Sequence, residues 1–166
     1  LGLPTTPHGD VVEHAVKVMR VRDNFECDTL IIMMANCATI TTSQIEDCVK
    51  LLREDESLST VAPVVQNNDH HPFRAKRIRE DGLIDPFVPL QGHDIASNRQ
   101  QLEPNYFVCH SFYVLRVKNC FIKDGQPPWN FMGKVVKPYI VDYSLDVHSM
   151  EDIWLTEKWL ETHGDK

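Results

Sequence analysis

The stretch from Asp28 to Val65 constrains the fold more than any other, because it reads as strand, helix and strand in succession. Residues 28–34, Asp-Thr-Leu-Ile-Ile-Met-Met, form a continuous apolar run. Its length and β-branched content suit a strand buried on both faces, as in a parallel sheet. Ser43-Gln-Ile-Glu46 matches a capping box, in which the serine hydroxyl accepts from the amide three residues on. Ile45, Cys48, Leu51 and Leu52 then give the following helix one apolar face. Residues 58–65, Leu-Ser-Thr-Val-Ala-Pro-Val-Val, form the next strand, with Pro63 near its end or at a sheet edge. Such a run is a βαβ unit, which implies a right-handed crossover and an α/β fold.

The flanking sequence fits one domain over residues 1–166. Val11, Val12, Ala15, Val16 and Met19 recur at helical spacing and predict a helix over 10–22. Residues 66–104 are irregular, with one short strand around Arg74–Ile78. A loop this long inside a compact domain is functional or mobile as a rule. Further strands are expected at 106–117 and 134–141. A last helix starts after Ser149, which Asp152 helps to cap, and carries Ile153, Leu155, Trp159 and Leu160. Ligands of open α/β sheets bind at the carboxyl ends of the strands. The loop after residues 28–34 and the long irregular loop are therefore the places to look for chemistry.

Charge and cysteine content exclude several function classes. The formal net charge is -7, which argues against a nucleic-acid partner, since such binding needs a basic face. No apolar run approaches the roughly 20 residues of a membrane helix, so no membrane partner is expected. Five cysteines without a CxxC spacing give neither a disulfide framework nor a zinc knuckle. They read as reduced thiols of a cytoplasmic protein. The opening residues read like mid-protein sequence, so an N-terminally truncated start is expected.

Four stretches, taken in order, resemble the CMP-sialic acid synthetase family (N-acylneuraminate cytidylyltransferases). They are Gly9-Asp-Val-Val-Glu-His-Ala15; Leu30-Ile-Ile-Met-Met-Ala-Asn-Cys-Ala-Thr-Ile40; Phe73-Arg-Ala-Lys-Arg-Ile78 with Asn98-Arg-Gln-Gln-Leu-Glu-Pro-Asn-Tyr106; and Tyr143-Ser-Leu-Asp-Val-His-Ser-Met-Glu-Asp152. The third is the most specific, because the family carries an Arg-Gln-x-Leu-Pro-like run there. The resemblance implies a three-layer nucleotidyltransferase (Rossmann-like) fold with a mostly parallel sheet, here N-terminally truncated. It also implies a reaction in which CTP and a nine-carbon acidic sugar give CMP-sugar and pyrophosphate. Family members are homodimers, and residues 117–138, with Pro127-Pro128-Trp129, are the candidate dimerisation extension. An exposed Trp129 would suit such an interface.

The same resemblance assigns the site. Asp146 would be the catalytic, metal-holding carboxylate for Mg²⁺. His148 stands where the family has a second aspartate, and imidazole is a poor ligand for that ion. Arg99, Gln100, Arg74, Tyr106 and Phe121 would meet the sugar. An arginine fork suits the sugar's carboxylate, although a surface arginine paired with a nearby acid has the same sequence signature. Asn36, Thr6 and His8 would meet the nucleotide, and Asn36 equally suits a tight turn. Tyr106 and Phe121 equally suit core packing. His70 and His71 read as part of a solvated loop.

The family's Arg-x-Gly-Ser-Lys-like phosphate loop has no counterpart in this sequence. Turnover is therefore implied only where that segment is supplied. The alternatives are a catalytically inactive binding or assembly domain and a cytidylyltransferase for another acidic sugar, such as Kdo or a pseudaminic-type acid. The four residues expected to converge on one cleft are Arg99, Gln100, Asn36 and Asp146.

Overall fold

In a computed structural model of the chain, the described residues are 3, 5–90, 92 and 95–163. They form α1 (His8–Asp23), β1 (Thr29–Met33), α2 (Thr42–Glu54), β2 (Thr60–Gln66), β3 (Lys76–Ile78), β4 (Ile84–Pro86), β5 (Tyr106–Val108), β6 (Phe112–Arg116), β7 (Val136–Ile140) and α3 (Met150–His163). β3 and β4 pair as a separate two-stranded ribbon. The other five strands form the main sheet.

The expected mostly parallel Rossmann-like sheet is not what forms. β6 lies between β1 and β2 and runs antiparallel to both. β5 is also antiparallel to β2, and β7 alone pairs with β2 in parallel. The cause is the return of the chain through residues 106–116. This run inserts between the two strands that a simple βαβ reading would place side by side. β1 and β2 still point the same way, because both oppose β6. With β7 parallel to β2, the carboxyl ends of β1, β2 and β7 share one edge of the sheet. The amino end of β6 lies at that edge too.

Strand periodicity sorts the core into two layers. On β6, Tyr113 and Leu115 join Ile32, Ala62, Cys120 and Met132 on one face. Phe112 and Val114 join Cys48, Leu52, Leu58 and Val61 on the other. α2 covers the second face. Val12 of α1 and the turn carrying Phe131 cover the first. Gly9 lets α1 approach closely, since a Cβ there would stand 2.9 Å from the Phe131 side chain.

Several local expectations shift. The capping box of α2 is built by Thr41 and Gln44, not by Ser43 and Glu46. Thr41 is still extended, so its hydroxyl is free to accept from the Gln44 amide at 3.3 Å, whereas Ser43 is already helical. Pro63 lies inside the central strand rather than at an edge. Its carbonyl accepts from the Cys109 amide at 2.8 Å, just where residues 109–111 interrupt the pairing of β5 and β6 with β2. At such an irregularity a missing N–H costs little. The α3 cap forms as expected: Asp152 Oδ2 accepts from the Ser149 amide at 2.8 Å and from its hydroxyl at 2.9 Å. Among the described residues no helix is long and apolar enough to cross a membrane.

Candidate functional site

Residues 66–69 leave β2 at its carboxyl end and meet residues 99–105 of the long loop. Asn68 holds the two segments together. Its Nδ2 donates to the carbonyls of Arg99, Leu102 and Glu103, and its Oδ1 accepts from the Asn105 amide at 3.0 Å. Asn105 Nδ2 returns a bond to the Asn67 carbonyl at 3.0 Å. The result is a polar cleft of about 550 Å³, lined by Gln66, Asn67, Asp69, Arg99 and Gln100 among others.

Asp69 organises its cations. Arg99 Nη1 donates to both carboxylate oxygens, at 2.5 and 2.6 Å, and Arg74 Nη1 stands 3.9 Å away. The Arg99 guanidinium holds the Asp69 carboxyl below the usual carboxylate range. Among the described residues only Nη1 of Arg99 is engaged, which leaves its other donors for a ligand. The side-chain amides of Gln66 and Gln100 also make no hydrogen bond among the described residues. Tyr106 lies opposite Gln66 in the β2–β5 register and is 45% exposed, so it is not a core residue.

The loop after β1, with Asn36, meets the segment around Asp146. The Asn36 carbonyl accepts from the Val147 amide at 2.7 Å, which fixes the two loops together. Tyr113 is buried to 1% exposure and hydrogen-bonded to His110 Nδ1 at 2.5 Å. Burial, followed by the negative charge of Asp146, pushes the Tyr113 phenol well up, so it stays protonated. Burial likewise raises the Cys109 thiol. His148 is tied through its backbone amide to Asp152 at 2.9 Å. Among the described residues no three His, Cys, Asp or Glu side chains are placed to share an ion.

A second cleft, of about 670 Å³, opens between the start of α1 and residues 121–131. His8, Phe121, Trp129 and Phe131 are among its walls. Trp129 is half-buried against His110, with ring centroids 4.8 Å apart, and does not stand out from the surface. Phe131 is braced edge-on by Tyr113 at 5.4 Å. Phe121 holds a left-handed φ of 59°, a strained conformation for an aromatic residue. Partial burial, with the nearby His110 in second place, lowers the His8 imidazole below its ordinary 6.5. Thr6 lies in the turn leading to α1, where its amide donates to the Leu3 carbonyl at 3.0 Å.

The expected site residues thus gather into three groups, the first two past the carboxyl ends of β2 and β1. Arg74, Arg99, Gln100 and Tyr106 belong to the polar cleft. Asn36 and Asp146 belong to the β1 loop. His8 and Phe121 belong to the aromatic cleft. No direct contact joins the first two groups among the described residues, so the single four-residue cleft is replaced by neighbouring sites. No family model matches the chain, and no curated protein matches it.

Sequence reasoning missed Gln66, Asn67, Asn68 and Asp69, although their place just past a buried strand was a usable signal. It also missed His110 and Tyr113, which the continuous reading of residues 106–117 hid. His71 was misjudged as solvated. It is 3% exposed, and its Nδ1 accepts from the Phe73 amide at 3.3 Å. That bond closes the turn locally and lets the ring be buried.

Proposed function

We propose that the chain serves a cytidylyltransferase of the CMP-sialic acid synthetase type and binds the acidic sugar in the cleft at the end of β2. The observation that carries this reading is Arg99, steadied through one nitrogen by Asp69 and facing Gln66, Asn67 and Gln100 across that cleft. A steadied guanidinium suits a carboxylate, because little side-chain freedom is lost when the bond forms. The surrounding amides offer donors and acceptors together, which suits a polyhydroxylated ring.

In the reaction, the sugar's anomeric hydroxyl attacks the α-phosphorus of CTP and pyrophosphate leaves. Such transfers depend on positioning and charge neutralisation. Arg99 and Gln100 would orient the acid, and Asn36 would hold the loop beside Asp146. A magnesium ion, when bound, would neutralise phosphate charge, held by Asp146 and the phosphates. The five free thiols support a reducing, cytoplasmic setting.

The test compares N-acetylneuraminate with its methyl ester by calorimetry and thermal shift. The acid should bind, and both the ester and Arg99→Lys should weaken binding roughly tenfold or more. Equal binding of acid and ester, or an Arg99→Lys protein that binds normally, removes the sugar-acid reading. Pyrophosphate release from CTP in the presence of the bound sugar then decides between a transferase and a binding domain. Parallel assays with Kdo and a pseudaminic-type acid identify the sugar.

A further inference from the structure

Arg99 belongs to the irregular segment that joins β2 to β5. The β2–β5 ladder ends at Gln66 and Tyr106, and one further backbone bond runs from the Asn67 amide to the Asn105 carbonyl at 3.0 Å. Arg99 lies outside that ladder, so the strands alone do not set its place beside the sheet.

Two consecutive residues hold it, one at each end. Asn68 is half-buried, and its Nδ2 donates to the Arg99 carbonyl at 3.3 Å and to the Leu102 and Glu103 carbonyls at 3.5 and 3.4 Å. Its Oδ1 accepts from the Asn105 amide at 3.0 Å, which anchors the same side chain to the start of β5. Asp69 takes the guanidinium end of Arg99 at 2.5 and 2.6 Å, and its own amide donates to Asn67 Oδ1 at 3.1 Å. Asp69 and Arg99 are both exposed. An exposed ion pair contributes little alone, because solvent screens it and two side chains lose freedom to form it. It persists in one geometry where the backbone beneath both partners is already fixed. Asparagine suits that task, since one planar group carries two donors and an acceptor.

We propose that Asn68 is a positioning residue for the polar cleft: by fixing the backbone of Arg99 it turns the Asp69–Arg99 pair into a preset receptor for a carboxylate. Its side-chain amide is engaged by backbone groups, so it acts on a ligand through Arg99. A guanidinium already presented in one orientation loses less freedom when a ligand binds. Without Asn68, residues 99–103 are loosened, Arg99 leaves Asp69 for solvent part of the time, and the cleft loses its preference for an acid over a neutral analogue. The effect on the ion pair stands by itself; the effect on binding rests on the proposed sugar-acid function.

Two measurements on the whole chain test it. The first needs no ligand: carboxyl-carbon NMR follows Asp69 through an acid titration in the parent, Asn68→Ala, Asn105→Ala and Arg99→Gln. Arg74 and His70, the other charged or titratable neighbours of Asp69, are unchanged in every variant. The parent midpoint should lie below the ordinary carboxylate range, as the Arg99 contact dictates. Asn68→Ala should raise it towards the Arg99→Gln value. Asn105→Ala removes only the bond to the Asn67 carbonyl and should stay with the parent. The second measurement is calorimetry with N-acetylneuraminate and its methyl ester. The preference for the acid should fall roughly tenfold in Asn68→Ala. A merely structural asparagine would lower the melting temperature and leave the ratio of the two affinities unchanged. Circular dichroism checks each fold, and Asn68→Ser replaces an Asn68→Ala protein that does not fold. An Asp69 midpoint shared by the parent and Asn68→Ala overturns the proposal, as does an equal rise in Asn105→Ala or an unchanged acid preference. A parent with no preference for the acid removes the sugar-acid function and leaves the titration to decide on Asn68.

Discussion

At the scale of single residues, environment separates side chains that look alike in sequence. Arg99 and Arg74 share one acid, but Arg99 alone bonds both of its oxygens within hydrogen-bond distance. His8 shows the same point through its titration. Its folded-state pKa lies below the ordinary 6.5, first through partial burial and then through His110. A histidine lowered in this way stabilises the fold in its neutral form. That contribution is fully present above about pH 6.5 and is lost as pH falls through the lower folded-state value. Urea midpoints measured across this range should therefore fall on the acid side. His8→Asn should flatten that part of the profile. An unchanged slope would remove His8 as its source.

At the scale of elements, the loops that set the clefts are held by polar side chains reaching into backbone. Arg116, at the end of β6, is one example. Its guanidinium donates to the carbonyls of Leu52, Asp55 and Leu58, the last two at 3.2 Å, and so ties β6 to the end of α2 and the start of β2. Arg116→Met keeps much of the apolar stem but removes all three charged bonds, although the Leu58 carbonyl still accepts from Asn119 Nδ2 at 3.2 Å and the Asp55 carbonyl from the Leu58 amide at 3.3 Å. The expected loss is about 2 kcal/mol of unfolding free energy, read by chemical denaturation. A loss under about 0.5 kcal/mol would show that water replaces the guanidinium at no cost. The turn that carries Phe131 is fastened similarly, since Thr60 Oγ1 donates to the Met132 carbonyl at 2.7 Å. This bond sets one wall of the aromatic cleft from the first residue of β2.

At the scale of the whole molecule, burial governs thiol chemistry. All five cysteines are free. Cys37, Cys48, Cys109 and Cys120 are buried, and Cys27 is partly so. Desolvation pushes Cys48 up to about 12 and Cys120 up to about 11. Thiolate is the reactive form, so these groups are slow nucleophiles in the folded protein. A chromogenic thiol reagent should modify Cys27 first, and the other four only as the chain unfolds. Rapid labelling of a buried cysteine, mapped by peptide mass, would mean that the core opens locally well below the global unfolding free energy.

The sequence by itself determined where the main elements lie: α1, β1, α2, β2, the strand run through residues 106–117, β7 and α3. These depend on local apolar periodicity, capping groups and strand-forming runs, all encoded within a few residues. It also placed Asp152 at the cap of α3 and singled out the loop past β2, which lines the polar cleft. Only the tertiary structure decided the sheet order, because a strand's apolar pattern is the same whichever neighbour it pairs with and in whichever direction. The insertion of β6 between β1 and β2 was therefore invisible locally. For the same reason the spacing of Asn36, Asp146, Arg99 and Gln100 along the chain did not reveal that they occupy neighbouring sites. Side chains from distant segments meet only where packing and strand register bring their loops to one edge.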